Sequence, residues 1–302
     1  MTNDAAGTAR ADLVGVGLVL IASIGFSGRG ILIKLSYPYG VDAVTLMMLR
    51  MAFSLPFFIV MGWAASRTAT PIARADWGML LGLGFLGYYM SSLLSFMGLI
   101  FVPATLERLL LYLTPTIVVL LSALIFRQRV RREHVIALTL TYGGILLVLG
   151  NSLAVSQEPL DLAVGCVLVF CSTLTFAAYL LGSGALIPRI GSTRFTAYAS
   201  GTASLLVIVQ FVLIRDVTAL DLPLPVYAYG AMMAILCTVL PTWAMAEGMR
   251  RIGTNRASIT SSIGPVSTIV LAALVLGETI TLVQIAGAAL VLAGVWMVGK
   301  KR

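Results

Sequence analysis

Residues 162–187 read LAVGCVLVFCSTLTFAAYLLGSGALI, and no Asp, Glu, Lys or Arg falls between Asp161 and Arg189. Wound as a helix at about 1.5 Å per residue, this run is longer than the ~30 Å hydrocarbon core of a bilayer. Comparable apolar runs lie on both sides of it. Together they predict ten spans: 13–33, 43–64, 78–99, 104–126, 134–150, 162–187, 194–214, 226–248, 257–276 and 281–298. Apolar residues make up 59% of the 302 and charged residues 11%, less than half of the roughly 25% usual in soluble domains. The mean hydropathy of +1.01 leaves nothing from which to build a separate soluble domain. Disorder, collagen-like structure and a secreted disulfide scaffold are excluded on the same grounds. The expected fold class is an all-α integral membrane protein.

A net charge of +8 raises the question of nucleic acid. That reading needs basic residues gathered on one water-exposed face, whereas here they occupy short loops between apolar runs. Alternate loops and tails hold Arg10, Arg67, Arg74, Arg127, Arg129, Arg131, Arg132, Arg189, Arg194, Arg250, Arg251, Arg256 and Lys300 to Arg302. The opposite set holds only Lys34, Arg108 and Arg215. By the positive-inside rule both termini are expected in the cytoplasm. The first span lacks a cleavage site followed by a polar mature chain and reads as a retained anchor. Cys166, Cys171 and Cys237 lie within apolar runs without metal or redox spacing, and His134 has no ligand partners, so no metal is expected.

A shift of 150 residues aligns Gly98 with Gly248, Pro115 with Pro265, Leu121 with Leu271, Ala123 with Ala273 and Gly144 with Gly294. The expected organisation is a tail at 1–12, repeats at 13–150 and 151–299, and a basic tail at 300–302. Each repeat has five spans, so the second enters the membrane from the opposite side. Two inverted halves around a midplane site are a recurring design of secondary transporters. A channel or a scaffold is the alternative.

Gly277-Glu278-Thr279-Ile280-Thr281, followed by Gln284, Gly287 and Gly294, resembles the C-terminal signature of EamA-type members of the drug/metabolite transporter superfamily. The first half is similar to the other copy through Lys34, Leu49-Arg50, Gly98, Pro115 and Gly144, although Arg127-Gln128-Arg129 stands where the signature has Gly-Glu. The resemblance covers roughly 12–299. It implies a five-plus-five fold exporting small metabolites, with amino-acid exporters as the prototype, and a central path lined by spans 1, 3, 4, 6, 8 and 9. It transfers no substrate, since the superfamily handles amino acids, other metabolites, drugs and sugar phosphates.

The sequence carries no nucleophile elbow, Walker loop, zinc spacing or paired catalytic carboxylate. Neither an enzyme nor a cofactor is expected, and facilitated diffusion or ion coupling is left to drive transport. Ionisable groups within spans cost roughly 2.5–3.5 kcal/mol each on insertion scales, so each needs a partner or water. Arg29, Arg50, Glu107 and Arg108 form the outer set, in which Glu107 is expected to pair with Arg50 or Arg29. The pair would orient helices, act as a gate, or dock the charged groups of a zwitterion. Glu247 is spaced to bridge Arg250 and Arg251 locally, or else to couple protons.

Phe26, Tyr88, Tyr89, Phe96, Tyr112, Phe176, Tyr179 and Trp243 sit near mid-depth. As a group they would give a mainly apolar cavity with hydroxyl handles, suited to bulky apolar or aromatic side chains. Trp63 and Trp77 read as interfacial anchors. Pro115, Pro241 and Pro265 are expected to break helical hydrogen bonds and serve as hinges or static kinks, with Thr114, Thr116, Ser261 and Ser262 nearby to satisfy freed carbonyls.

The first reading is therefore an amino-acid exporter of the bacterial inner membrane. An anion or sugar-phosphate exchanger using Arg29, Arg50 or Arg108 is the runner-up, and a scaffold or channel the rival from another class. The expected partners are a small-molecule substrate and the lipid bilayer. One chain contains both halves of a pathway, so a monomer suffices, which does not exclude a dimer.

Overall fold

The computed structural model describes residues 2–67, 70–127, 132–261 and 263–299. Arg129, Arg131, Ser262 and the tail from Lys300 to Arg302, all invoked above, lie outside them. The described chain is helical almost throughout. In order, α1 is Thr2–Ser36, α2 Ala43–Ser66, α3 Arg74–Gly84, α4 Ser91–Phe101, α5 Ala104–Leu111, α6 Thr114–Phe126, α7 Arg132–Val155, α8 Pro159–Ile190, α9 Ser192–Ile214, α10 Leu224–Ala234, α11 Leu240–Ser261, α12 Gly264–Leu271 and α13 Leu282–Gly299. π-helical turns at Phe85–Met90 and Ile235–Val239 join α3 to α4 and α10 to α11. Eight helical stretches are long and apolar enough to cross a membrane, and Gly264–Leu276 and Leu282–Gly294 are shorter apolar helices. The first helix begins at Thr2, within the segment expected to be a tail. The alanines at 5, 6, 9 and 11 favour that extension.

Packing follows the 150-residue repeat. The principal helix contacts are α1 with α11, α4 with α8, α2 with α9 and α7 with α13. Exchanging the halves converts the first pair into the second and returns each of the others to itself. The correspondence extends to single atoms. A Cβ on Gly98 would lie 2.6 Å from Val169 Cγ2 and 3.1 Å from the Gly165 oxygen. On Gly248 it would meet Val19 Cγ2 at 2.6 Å and the Gly15 oxygen at 3.1 Å. Glycine at 98 and 248 thus allows two backbones to approach at equivalent crossings.

The equivalent helices run antiparallel. Along α2 and α9, Asp42 pairs with Arg215, Met51 meets Ser204 and Gly62 meets Ala197. Along α7 and α13, Gly144 faces Gly287 and Gly294 faces Ala137. Corresponding helices that pack head to tail make the two halves inverted copies. Between the halves, Arg189 pairs with Asp76 (2.7 Å) and Arg194 donates to the Thr70 carbonyl.

Candidate functional site

The loop after the second half's π turn at Ala272–Leu276 carries Glu278, and its carboxylate reaches across to the first half. Oε1 accepts from the Ala104 N–H (2.8 Å) and Oε2 from the Thr105 hydroxyl (2.7 Å), with the Thr105 N–H at 3.3 Å. Glu278 therefore caps α5, where free N–H groups and the helix dipole favour an anion. Lys34 and Glu278 line a cavity of about 360 Å³ at this end of the bundle.

One helical turn further along α5 the ionic residues meet. Glu107 is 3% exposed, and its Oε1 accepts from Arg29 Nη2 at 2.9 Å and from the Ser95 hydroxyl at 2.7 Å. Arg29 also donates to Ser95 at 3.1 Å. Of the two arginines expected for Glu107, the partner is Arg29. Arg50 is 4% exposed and finds no carboxylate among the described residues. Its Nη2 donates to Ser92 Oγ at 3.0 Å, its guanidinium lies 5.1 Å from the Phe96 ring centroid, and its Nε has no hydrogen-bond partner. A hydrogen bond to a charged group contributes about 1.5–3 kcal/mol and a cation–π contact about 0.5–2. Burying an ion costs several kcal/mol, and Arg29, a like charge nearby, adds to that. Arg50 is left electrostatically under-compensated.

Arg108, the next residue of α5, has different neighbours. Its guanidinium sits 5.3 Å from the Tyr112 ring, its Nη2 lies 3.5 Å from Ser27 Oγ, and its Nε is unpartnered. Ser27 donates to the Gly264 carbonyl at 2.8 Å, and the Tyr112 hydroxyl lies 3.5 Å from the Ser261 oxygen. Here the two broken helices meet: α5 stops at Leu111 before α6 begins, and the part of α11 beyond its break at Gly253 (φ 78°, ψ 159°) stops at Ser261 before α12 begins. Pro115 and Pro265 occupy the first turn of α6 and α12. That corrects the expectation of prolines inside a continuous helix, because a first-turn proline has no helical N–H to lose. The breaks precede them, and the Thr114 and Thr116 hydroxyls donate to the Leu111 (2.6 Å) and Leu113 (2.7 Å) carbonyls. Pro241 follows the π turn Ile235–Val239, whose extra residue accommodates the missing donor.

The aromatic residues split. The Tyr88 and Tyr179 rings are 5.2 Å apart, edge to face, and their hydroxyls are 3.2 Å apart. Phe176 and Phe195 stack on Tyr179 at 5.4 and 5.8 Å, and Tyr89 stacks on Phe85 at 5.3 Å. Tyr88 and Tyr89 lie within the π turn, about one turn from Ser92. Phe26 is half-buried on α1. Phe96 does not line an open space: it is 0% exposed beneath Arg50, and its carbonyl accepts from the Tyr37 hydroxyl. Trp243, 58% exposed, lies with Met232, Leu236 and Leu240 on the outward face of its helix. That face is apart from the aromatic group around Tyr179.

Glu247 makes the local bridge, accepting from Arg250 at 2.7 and 2.6 Å and from Arg251 at 2.7 Å. Its carboxylate is fully engaged. Ser92, Ser95, Ser27 and Gly264 were not anticipated. Serines inside spans are common, and only the positions of the arginines show which ones matter.

The EamA-like transporter family model matches the chain twice, at residues 13–150 and 163–300. The chain is 31% identical to the uncharacterized transporter YcbK of Bacillus subtilis over 89% of this chain and 87% of the relative. It is 26% identical to YyaM of the same organism, over 70% of each. A solved crystal structure, 17% identical, superposes with a TM-score of 0.63 over 96% of both chains, a likeness of fold.

Proposed function

Because the chain belongs to the EamA-like transporter family, and so is a multi-pass membrane transporter, we propose that it is a ten-span exporter with both termini cytoplasmic. In this reading the two halves, 13–150 and 151–299, rock against each other in alternating access. The cargo is a small metabolite of the bacterial inner membrane's cytoplasmic side, first of all an amino acid with an aromatic or other bulky apolar side chain. The observation that carries the proposal is the juxtaposition on α4 and the π turn before it. Tyr88, which meets Tyr179, lies about one turn from Ser92, which in turn accepts from Arg50; the arrangement pairs an apolar contact surface with charge. No chemical step is assigned to any side chain, in keeping with a transporter and not an enzyme.

The second reading, an exchanger of anions such as sugar phosphates, is favoured by a different observation. Arg50 and Arg108 have no carboxylate partner among the described residues. Counterflow in proteoliposomes decides between the two. Saturable exchange of labelled phenylalanine or leucine supports the exporter, whereas exchange restricted to phosphorylated sugars supports the runner-up. Flux that never saturates points to a channel and defeats both.

A further inference from the structure

We infer that Arg50 is the residue that binds the anionic group of the transported molecule, with Ser92 holding the guanidinium in place and Phe96 backing it. The inference rests on the transport reading and deepens it by assigning one end of the substrate to one side chain.

Three arginines and one carboxylate occupy this region, and their roles differ. Arg29 spends its charge on Glu107, and Ser95 completes that pair. Arg108 is half-buried and faces Ser27 and the helix breaks. Arg50 alone is more than nine-tenths buried with a ring behind it and a single serine at one nitrogen. A guanidinium carries five N–H donors in a planar fork suited to two oxygens of a carboxylate or phosphate. Arg50 Nε is unpartnered among the described residues. Arg29, whose charge is met by Glu107, offers Arg50 no counter-ion. A transported anion supplies that counter-ion for the time it is bound.

The remainder of the ligand follows from α4 and the π turn. Ser92 lies about one helical turn from Tyr88 and Tyr89, roughly 5 Å along the axis. That spacing matches the distance from an amino acid's carboxylate to its side chain. Phenylalanine held by Arg50 would place its ring toward Tyr88 and Tyr179.

The test uses the purified full chain, both in detergent and in proteoliposomes. The ligands are phenylalanine, phenylalaninamide (which keeps ring and ammonium but lacks the carboxylate), phenylacetate and inorganic phosphate. Hydrogen bonds to a charged group correspond to roughly 10- to 100-fold in affinity. The wild type should therefore prefer phenylalanine over the amide by that factor, both in half-saturating concentration for counterflow and in the concentration that raises its melting temperature. Arg50→Gln should collapse the ratio to near 1, while Arg50→Lys retains part of it. Protection by phosphate alone, lost in Arg50→Gln, supports the same subsite and identifies a phosphoanion as its ligand. If nothing is exchanged yet carboxylates still stabilise the wild type and not Arg50→Gln, the transport reading falls and the subsite stands. Should Arg50→Gln fail to fold, the wild-type comparison of acid and amide decides. Equal treatment of acid and amide by the wild type in both measurements overturns the inference, as does an unchanged ratio in a folded Arg50→Gln.

Discussion

The Arg29–Glu107 pair offers a quantitative test of the ionic arrangement. Glu107→Gln keeps the shape and the Ser95 contact but removes the negative charge, leaving Arg29 and Arg50 to repel each other without a neighbouring anion. Removing one member of a buried pair costs about 3–5 kcal/mol, and the near-complete burial of Glu107 places this variant in that range. Arg29→Gln should cost less, about 2–3 kcal/mol. The Arg29 side chain is 21% exposed, Ser95 still donates to the carboxylate, and the repulsion with Arg50 is relieved. The double variant replaces the pair with two amides and should cost about 1–2 kcal/mol, less than either single change alone. The coupling between the sites is then about 4–6 kcal/mol. Unfolding in detergent micelles, followed by denaturant titration of all four proteins, measures each value. A double variant that costs the sum of the singles to within about 0.5 kcal/mol would show that the groups act independently and would refute the pairing.

Glycine crossings at symmetric positions should respond alike. Gly98→Ala and Gly248→Ala each push a methyl group into a valine, Val169 or Val19, and each should destabilise by about 1–3 kcal/mol. Val169→Ala should rescue the first variant in part and Val19→Ala the second, the backbone oxygens at 3.1 Å remaining close, as read by melting temperature, and neither should rescue the other. Asp42, outside the spanning helices, is pulled up by partial burial, but hydrogen bonds from Thr45 and Arg215 hold its carboxyl below the ordinary value overall. A depressed folded-state value contributes stability above the unfolded value of about 3.9 and loses it as the pH falls further. The melting-temperature gap between wild type and Asp42→Asn should accordingly be constant near pH 6 and shrink below about pH 4; a gap that widens with acid contradicts the assignment. Pro115→Ala together with Pro265→Ala allows the interrupted helices to join, because alanine, unlike proline, can stand in the interior of a continuous helix. Exchange should slow several-fold in proteoliposomes, and an unchanged rate would mean that the breaks are set by the residues before the prolines.

Hydropathy and spacing made the helices and the repeat legible because both are properties of the chain read in order. The local bridge at Glu247 was legible for the same reason, since its partners lie three and four residues away. The partner of Glu107 was narrowed only to two arginines. Choosing Arg29 requires knowing that α1 packs beside α5, a fact about neighbours in space. The π turns left no compositional mark, although Phe85 and Ile235, which begin them, stand 150 residues apart and the repeat could have matched them. Depth in a span says nothing about which face a residue occupies, and only the structure sets Trp243 on an exposed one. Pro115 and Pro265 were rightly matched to one another and wrongly set inside helices, because a proline reads the same within a kink and in a first turn.

Alternating access by rocking of the halves requires the contact that Glu278 makes with α5 to break in every cycle. Thr105→Cys and Glu278→Cys join the two halves there, at positions whose native side chains now meet at 2.7 Å. They should be introduced into a chain whose other cysteines are replaced by alanine and bridged with a short bifunctional thiol reagent cleavable by reduction. Bridging should abolish substrate exchange in proteoliposomes, and reduction should restore it. Exchange that continues at its full rate with the bridge in place would contradict rocking of the two halves as the route across the membrane.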